Sequence, residues 1–172
     1  MALVRPTILQ VVGYQNSGKT TMIVKLIHVL NGAGFKTVTI KHHGHGGKPS
    51  AVEQKDSTRH LSAGAAASIV EGAGSLILQA NSNSFSLEEQ IKLISTLNPD
   101  VILIEGHKQA DYPKLLILKE KEDLSLLDHL TNVRGILYWD GLKTYLTHVE
   151  IPVFSVDDHT FEHNCVEWLK DL

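Results

Sequence analysis

Apolar positions along the chain fall into two patterns: short runs apolar at nearly every position, and longer stretches apolar at every third or fourth. The first describes a strand buried on both faces, and the second a helix with one covered side. Thr7-Ile8-Leu9-Gln10-Val11-Val12 opens the series as a β-branched strand. Met22, Ile23, Leu26, Ile27 and Leu30 follow at helical spacing, and that helix ends near Asn31, with Gly32 and Gly34 as its left-handed stop. Lys36 to Lys41 reads as a second strand, His42 to Gln54 as a loop rich in glycine, histidine and lysine, and Lys55 to Ala67 as a short helix.

Ser68-Ile69-Val70 and Ser75-Leu76-Ile77-Leu78-Gln79 flank Glu71-Gly72-Ala73-Gly74, which predicts a β-hairpin with glycines in its turn. Ser86-Leu87-Glu88-Glu89 has the form of a capping box and predicts a helix to about Leu97. Val101 to Ile104 is a wholly apolar strand ending at Glu105-Gly106. Lys114 to Leu118, Val133 to Trp139 and Ile151 to Val156 are further strands, and a closing helix starts at Asp158 with Val166 and Leu169 on its buried side. The alternation predicts a single α/β domain over residues 1–172: a P-loop NTPase-type, mostly parallel sheet with helices on both faces. The hairpin and the Lys114 strand interrupt the alternation. They are expected as an inserted β-hairpin and antiparallel edge strands.

The strand-to-helix junction carries the most specific chemistry. Gly13-Tyr14-Gln15-Asn16-Ser17-Gly18-Lys19-Thr20 spells GxxxxGKT between the first strand and the first helix, the context a phosphate-binding loop requires. Gly13 and Gly18 let backbone N–H groups converge on phosphate oxygens at the positive end of the helix. Lys19 is placed to reach the β- and γ-phosphates of a nucleoside triphosphate, and the Thr20 hydroxyl to ligate Mg²⁺. Gln15, Asn16, Ser17 and Thr21 complete the candidate phosphate-binding residues.

Other candidates sit at the carboxyl ends of strands, where open α/β sheets bind ligands. Glu105 is positioned like a Walker B acid, to hold a Mg²⁺-bound water or to polarise the attacking water, although Asp is the usual residue; alternatively it is a solvated strand-end carboxylate. Asp56, in Lys55-Asp56-Ser57-Thr58-Arg59, is a catalytic and Mg²⁺-ligand candidate and equally a helix N-cap. Lys41 and His42 follow the second strand closely enough to face phosphates. With His43 and His45 they form a cluster that also admits a bland loop or a Zn²⁺ or Ni²⁺ site. Asp157 and Asp158 are candidates to accept hydrogen bonds from guanine, or to cap the last helix; the sequence NKxD is absent.

Composition narrows the field. The chain has 172 residues, 42% hydrophobic and 20% charged, enough for one domain with a real core. The net charge of −3, with no run of Lys or Arg, argues against a nucleic-acid partner. No segment approaches the roughly 18 apolar residues of a membrane helix, and the N-terminal apolar stretch runs into the glycine loop instead of a cleavage site. A cytoplasmic location without membrane attachment is expected. The single Cys165 excludes an internal disulfide and reads as packing.

In combination these motifs resemble the molybdopterin-guanine dinucleotide biosynthesis protein B (MobB) family over nearly the whole chain. The resemblance rests on Gly13 to Thr20, Lys41-His42-His43, Lys55-Asp56-Ser57-Thr58-Arg59 with Ala63-Gly64-Ala65, and Asp100 to Lys108. It implies a homodimeric, GTP-binding protein with weak GTPase activity that assists a MobA-like guanylyltransferase in attaching GMP to molybdopterin. By position it implies that Gly13 to Thr20 hold the phosphates of GTP, and that Asp56 and Glu105 stand around Mg²⁺. Two other readings share the phosphate loop. A small-molecule kinase would want an arginine-rich lid, and the chain has only Arg5, Arg59 and Arg134. A GTP-driven metallochaperone would bind metal at His42 to His45.

Overall fold

The computed structural model describes residues 6–42, 55–82, 84–157 and 160–172, with backbone alone for 55–58. Among these residues the chain forms two compact units, His45–Ser86 and the remainder. The larger unit contains strands β1 (Thr7–Val12), β2 (Thr37–Lys41), β5 (Val101–Glu105), β6 (Lys114–Leu118), β7 (Val133–Tyr138) and β8 (Val153–Ser155). Its helices are α1 (Lys19–Gly32), α3 (Leu87–Ser95) and α4 (Thr160–Lys170), joined by 3₁₀ turns at Lys121–Asp128 and Lys143–Leu146. The smaller unit holds α2 (Lys55–Ser62), β3 (Ala67–Gly72) and β4 (Ser75–Ala80).

The six strands of the larger unit form one sheet in the order β2-β5-β1-β6-β7-β8. β5 and β6 are buried at every position, as strands covered on both faces must be. One face carries Leu9, Val11, Val101, Leu103, Leu115 and Leu137 against Met22, Ile23, Leu26 and Leu30 of α1 and Phe161, Cys165 and Leu169 of α4. On the other face α3 contributes Leu87 against Ile40, Ile102 and Ile104, and the 3₁₀ turns contribute Leu126 and Leu146 against Leu116, Leu118 and Ile136. Because side chains alternate along a strand, Val11 and Glu105 fall on the α1 face and Gln10 on the opposite one.

The mostly parallel sheet with helices on both faces is the expected fold, and β3 and β4 form the expected antiparallel hairpin. The Lys114 strand differs from expectation. β6 is neither antiparallel nor at an edge: it lies inside the sheet, parallel to both β1 and β7. The segment between β5 and β6, residues 106–113, holds no helix, so the connection does not resemble a parallel crossover. Yet eight residues span up to about 26 Å. Returning along a five-residue strand and crossing two strand spacings needs only roughly 20 Å. The crossover is therefore made by a bare loop. Smaller differences fall at element ends: α2 stops at Ser62, β8 is three residues long, and α4 begins at Thr160.

In the smaller unit, β3 and β4 pair from Ala67↔Ala80 to Gly72↔Ser75. Ala73 and Gly74, both at positive φ, make the two-residue turn that matches strand twist. No described helix is long and apolar enough to cross a membrane.

Cys165 lies fully buried in the α4 core, and burial raises its thiol pKa. It should resist a thiol reagent such as dithionitrobenzoate in native buffer at pH 8 and react stoichiometrically in denaturing urea. Rapid native labelling would contradict this packing.

Candidate functional site: a phosphate-binding loop and its acidic partner

The loop between β1 and α1 is shaped by steric demand. A Cβ on Gly13 would stand 2.7 Å from the Ile117 carbonyl oxygen and 2.7 Å from Ser17 Oγ, so only glycine fits there. Gly18, at φ 99°, takes the left-handed conformation that turns the chain into α1. Trp139, just past the end of β7, supports this turn: its indole N–H donates to the Ser17 carbonyl at 2.9 Å, and its ring edge lies against Gly18. Lys119, just past β6, donates to the Asn16 carbonyl at 3.2 Å. Both residues sit at strand ends on the edge that carries the loop.

Ser17 Oγ is buried and has no hydrogen-bond partner among the described residues. A buried hydroxyl of that kind is costly unless a ligand oxygen completes it. Lys19 donates to the Tyr14 carbonyl at 2.6 Å, folded back over the loop. Burial lowers its pKa; the Glu105 carboxylate opposes the shift, while the Lys108 and Lys41 ammoniums add to it. Lys108 also lies over the Tyr14 ring, 4.2 Å from the centroid. The cradle, the orphan hydroxyl and the surrounding ammoniums fit a polyphosphate.

Register brings the acidic partner to the same place. Glu105, Val11 and Lys41 are aligned across β5, β1 and β2. Alternation then turns Glu105 and Lys41 toward α1, whose second residue is Thr20. Thr20 Oγ1 donates to the Glu105 carboxylate, 2.9 and 3.0 Å from its two oxygens. Lys41 Nζ lies 3.0 Å from Thr20 Oγ1 and 3.0 Å from Glu105 Oε1. Glu105 is 9% exposed, which removes the solvated strand-end reading. A hydroxyl and a carboxylate meeting beside GxxxxGKT are the donor set that holds Mg²⁺ and its waters in phosphate-loop proteins.

The turn after Glu105 is held from below. Gln10 is fully buried, donates to the Gly106 and His107 carbonyls at 3.1 and 2.8 Å, and accepts from the Tyr112 N–H at 3.3 Å. Fully buried Lys114 donates to the Ala110 and Tyr112 carbonyls at 2.5 and 3.2 Å. Burial lowers its pKa, opposed by Asp111. His107 packs on His42 with ring centroids 4.5 Å apart. Burial lowers the His107 pKa, the neighbouring His42 adds to the shift, and Glu88 opposes it.

The structure thus unites Gly13, Ser17, Gly18, Lys19, Thr20, Lys41 and Glu105, with His42 beside them. Gln15, Asn16 and Thr21 lie exposed on the loop and the first turn of α1. Asp157 is exposed beyond β8, its N–H donating to Ser155 Oγ at 3.3 Å. The side chain of Asp56, and His43, His45 and Asp158, lie outside the described residues. Among the described residues no group of three or more His, Cys, Asp or Glu is arranged to hold a metal. Gln10, Lys108, Lys119 and Trp139 are site residues that motif reading misses. A glutamine inside an apolar strand and cationic or aromatic residues at strand ends are the signals that mark them.

A six-stranded sheet of this order with a glycine-rich loop after β1 defines a protein of the P-loop NTPase fold. A family model described as molybdopterin guanine dinucleotide synthesis protein B matches residues 8–138. A Bacillus subtilis (strain 168) protein named as a probable molybdopterin-guanine dinucleotide biosynthesis adapter is 48% identical over 161 residues, 92% of this chain and 91% of that protein. The crystal structure of Bacillus subtilis MobB is similar at a TM-score of 0.79 and 42% identity, covering 96% of this chain and 99% of that one. That of a MobB homologue from Bacillus stearothermophilus is similar at 0.76 and 30%, with the same coverage. The chain belongs to the MobB family.

Replacing Gln10 with Leu leaves the Gly106 carbonyl and the Tyr112 N–H without their partner and takes one of two donors from the His107 carbonyl, which keeps the Ala110 N–H. The expected cost is about 1–3 kcal/mol of unfolding free energy, read from urea denaturation. An unchanged midpoint and slope would mean that water replaces the glutamine.

Proposed function

We propose that this chain is a GTP-binding adapter with weak GTPase activity in molybdopterin guanine dinucleotide biosynthesis, acting with a guanylyltransferase of the MobA kind that attaches GMP to molybdopterin. The hydrogen bond from Thr20 to Glu105 beside the GxxxxGKT loop carries the nucleotide part of this reading. Family membership and the adapter role named for the Bacillus subtilis relative support the biosynthetic part.

The chain's residues divide the work by position. Backbone N–H groups between Gly13 and Thr20 meet phosphate oxygens at the positive end of α1. Lys19 leaves the Tyr14 carbonyl and donates to the β- and γ-phosphates, a charge-assisted contact stronger than the one it gives up. Thr20 and Glu105 are the residues that would hold Mg²⁺, which supplies neutralisation of phosphate charge. Glu105 also lies where a carboxylate can orient a water toward the γ-phosphate. The only arginine described in the larger unit, Arg134, is at the amino end of β7 and donates to Asn132 Oδ1. With no described arginine of the larger unit beside the loop, slow hydrolysis is the expectation, and a kinase with an arginine lid is disfavoured. Asp157 and Asp158 follow the last strand and are the proposed readers of guanine, whose adjacent donors match a carboxylate. Asp56 is proposed as a further Mg²⁺-associated carboxylate.

The hairpin supports a homodimer. Ile69, Leu76, Ile77 and Leu78 are 62, 61, 43 and 39% exposed, and among the described residues neither outer edge of the two-stranded sheet pairs with a further strand. A lone hairpin is marginal in water, and an apolar edge favours pairing with a second copy across a two-fold axis.

Competition binding with GTP and ATP tests the central reading. GTP should win by about tenfold or more, the worth of one mismatched buried hydrogen bond. Lys19→Ala should weaken GTP binding with little change in stability, and Glu105→Gln should slow hydrolysis far more than it weakens binding. Equal GTP affinity in the parent and K19A would sink the loop assignment. For the dimer, sedimentation at micromolar concentration should give twice the chain mass, and Ile69→Asp with Leu76→Asp should lower it; a monomeric parent would end that part.

A further inference from the structure

Lys41 takes up a position that a metal ion would want. Its Nζ lies 3.0 Å from both Thr20 Oγ1 and Glu105 Oε1, bridging the hydroxyl and the carboxylate assigned above to the metal. The three groups close a ring of interactions. Thr20 donates its only hydroxyl proton to Glu105, Lys41 donates to the Thr20 oxygen, and the ammonium neutralises the carboxylate. Without Lys41 the carboxylate, at 9% exposure, would keep the Thr20 hydroxyl and the field of Lys19 but lose its ion pair, so a cation in this gap is favoured when no metal fills it.

The ammonium is also the easiest member to remove. The Lys41 side chain is 56% exposed whereas that of Glu105 is 11% exposed, so the lysine can swing into water while the carboxylate stays. Lys41 is the last residue of β2, and its backbone is held in register with Glu105, so the side chain alone moves. A divalent ion entering between Thr20 and Glu105 meets a charge of its own sign and loses one acceptor to it.

We propose that Lys41 is the resident cation of the metal subsite and that a divalent ion must displace it. This rests on the nucleotide-binding reading above. It makes Lys41 a positioning residue that sets the metal requirement, because metal affinity and lysine release are linked reciprocally.

The test is a Mn²⁺ titration followed by electron paramagnetic resonance, with the protein in excess over a non-hydrolysable GTP analogue. Lys41→Met keeps the stem and removes the charge; half-saturation should fall about tenfold, the scale of one charge-assisted contact. Lys41→Arg keeps a cation in the gap and should stay near the parent. Lys170→Met removes a positive charge that is paired with Glu167 on α4 and has no part in the site, and should shift half-saturation less than about threefold. Unchanged or weaker Mn²⁺ binding in K41M would overturn the proposal, as would an equal shift in K170M, which would mean a general charge effect and not occupancy. A parent that binds no nucleotide would bring down the underlying reading as well; binding with an unaltered metal requirement in K41M sinks this inference alone.

Discussion

The carboxylate of Glu105 stands at the end of a strand buried on both faces, and the site is organised around neutralising it. β5 is apolar for four residues and then places a charge on the α1 side, where water has little access. Such a charge has to be met by donors and cations at once. The hydroxyl of Thr20 and the ammonium of Lys41 meet it, one from the first turn of α1 and the other from the neighbouring strand. The glycine loop, the helix start and two strands are thereby tied together at a single carboxylate. That arrangement gives the glycine loop an acidic neighbour.

The crossover from β5 to β6 bears on the same point. A loop without helix, passing over β1, would be loose if its backbone groups faced only solvent. Gln10 and Lys114, both fully buried, direct their described hydrogen bonds to that loop. They hold the residues immediately after Glu105 and so restrict where the carboxylate can go. The burial that lowers the Lys114 pKa is the cost of its part in this clamp, and the Ala110 and Tyr112 carbonyls gain a donor in return.

The glycine-rich loop, the strand before it, the helix after it and the strand ending at Glu105 were legible because each is local. Glycine spacing, β-branched runs and helical periodicity are properties of neighbours in the chain. β6 was not legible in direction, because eight connecting residues suit either a return or a bare crossover, and only the position of β1 beneath them decides. Trp139 and Lys119 support the loop from strands more than a hundred residues away, and nothing in their own surroundings announces it.

The sequence by itself determined the GxxxxGKT loop in its strand–helix setting, the hairpin, and the presence of an acid at a strand's carboxyl end. These follow from steric limits on glycine and from the two periodicities of side chains. The tertiary structure alone decided that Glu105 would meet both Thr20 and Lys41. A carboxylate's partners depend on which strands are neighbours and in what register, and strand order is set by how the whole core closes, not by any segment within it.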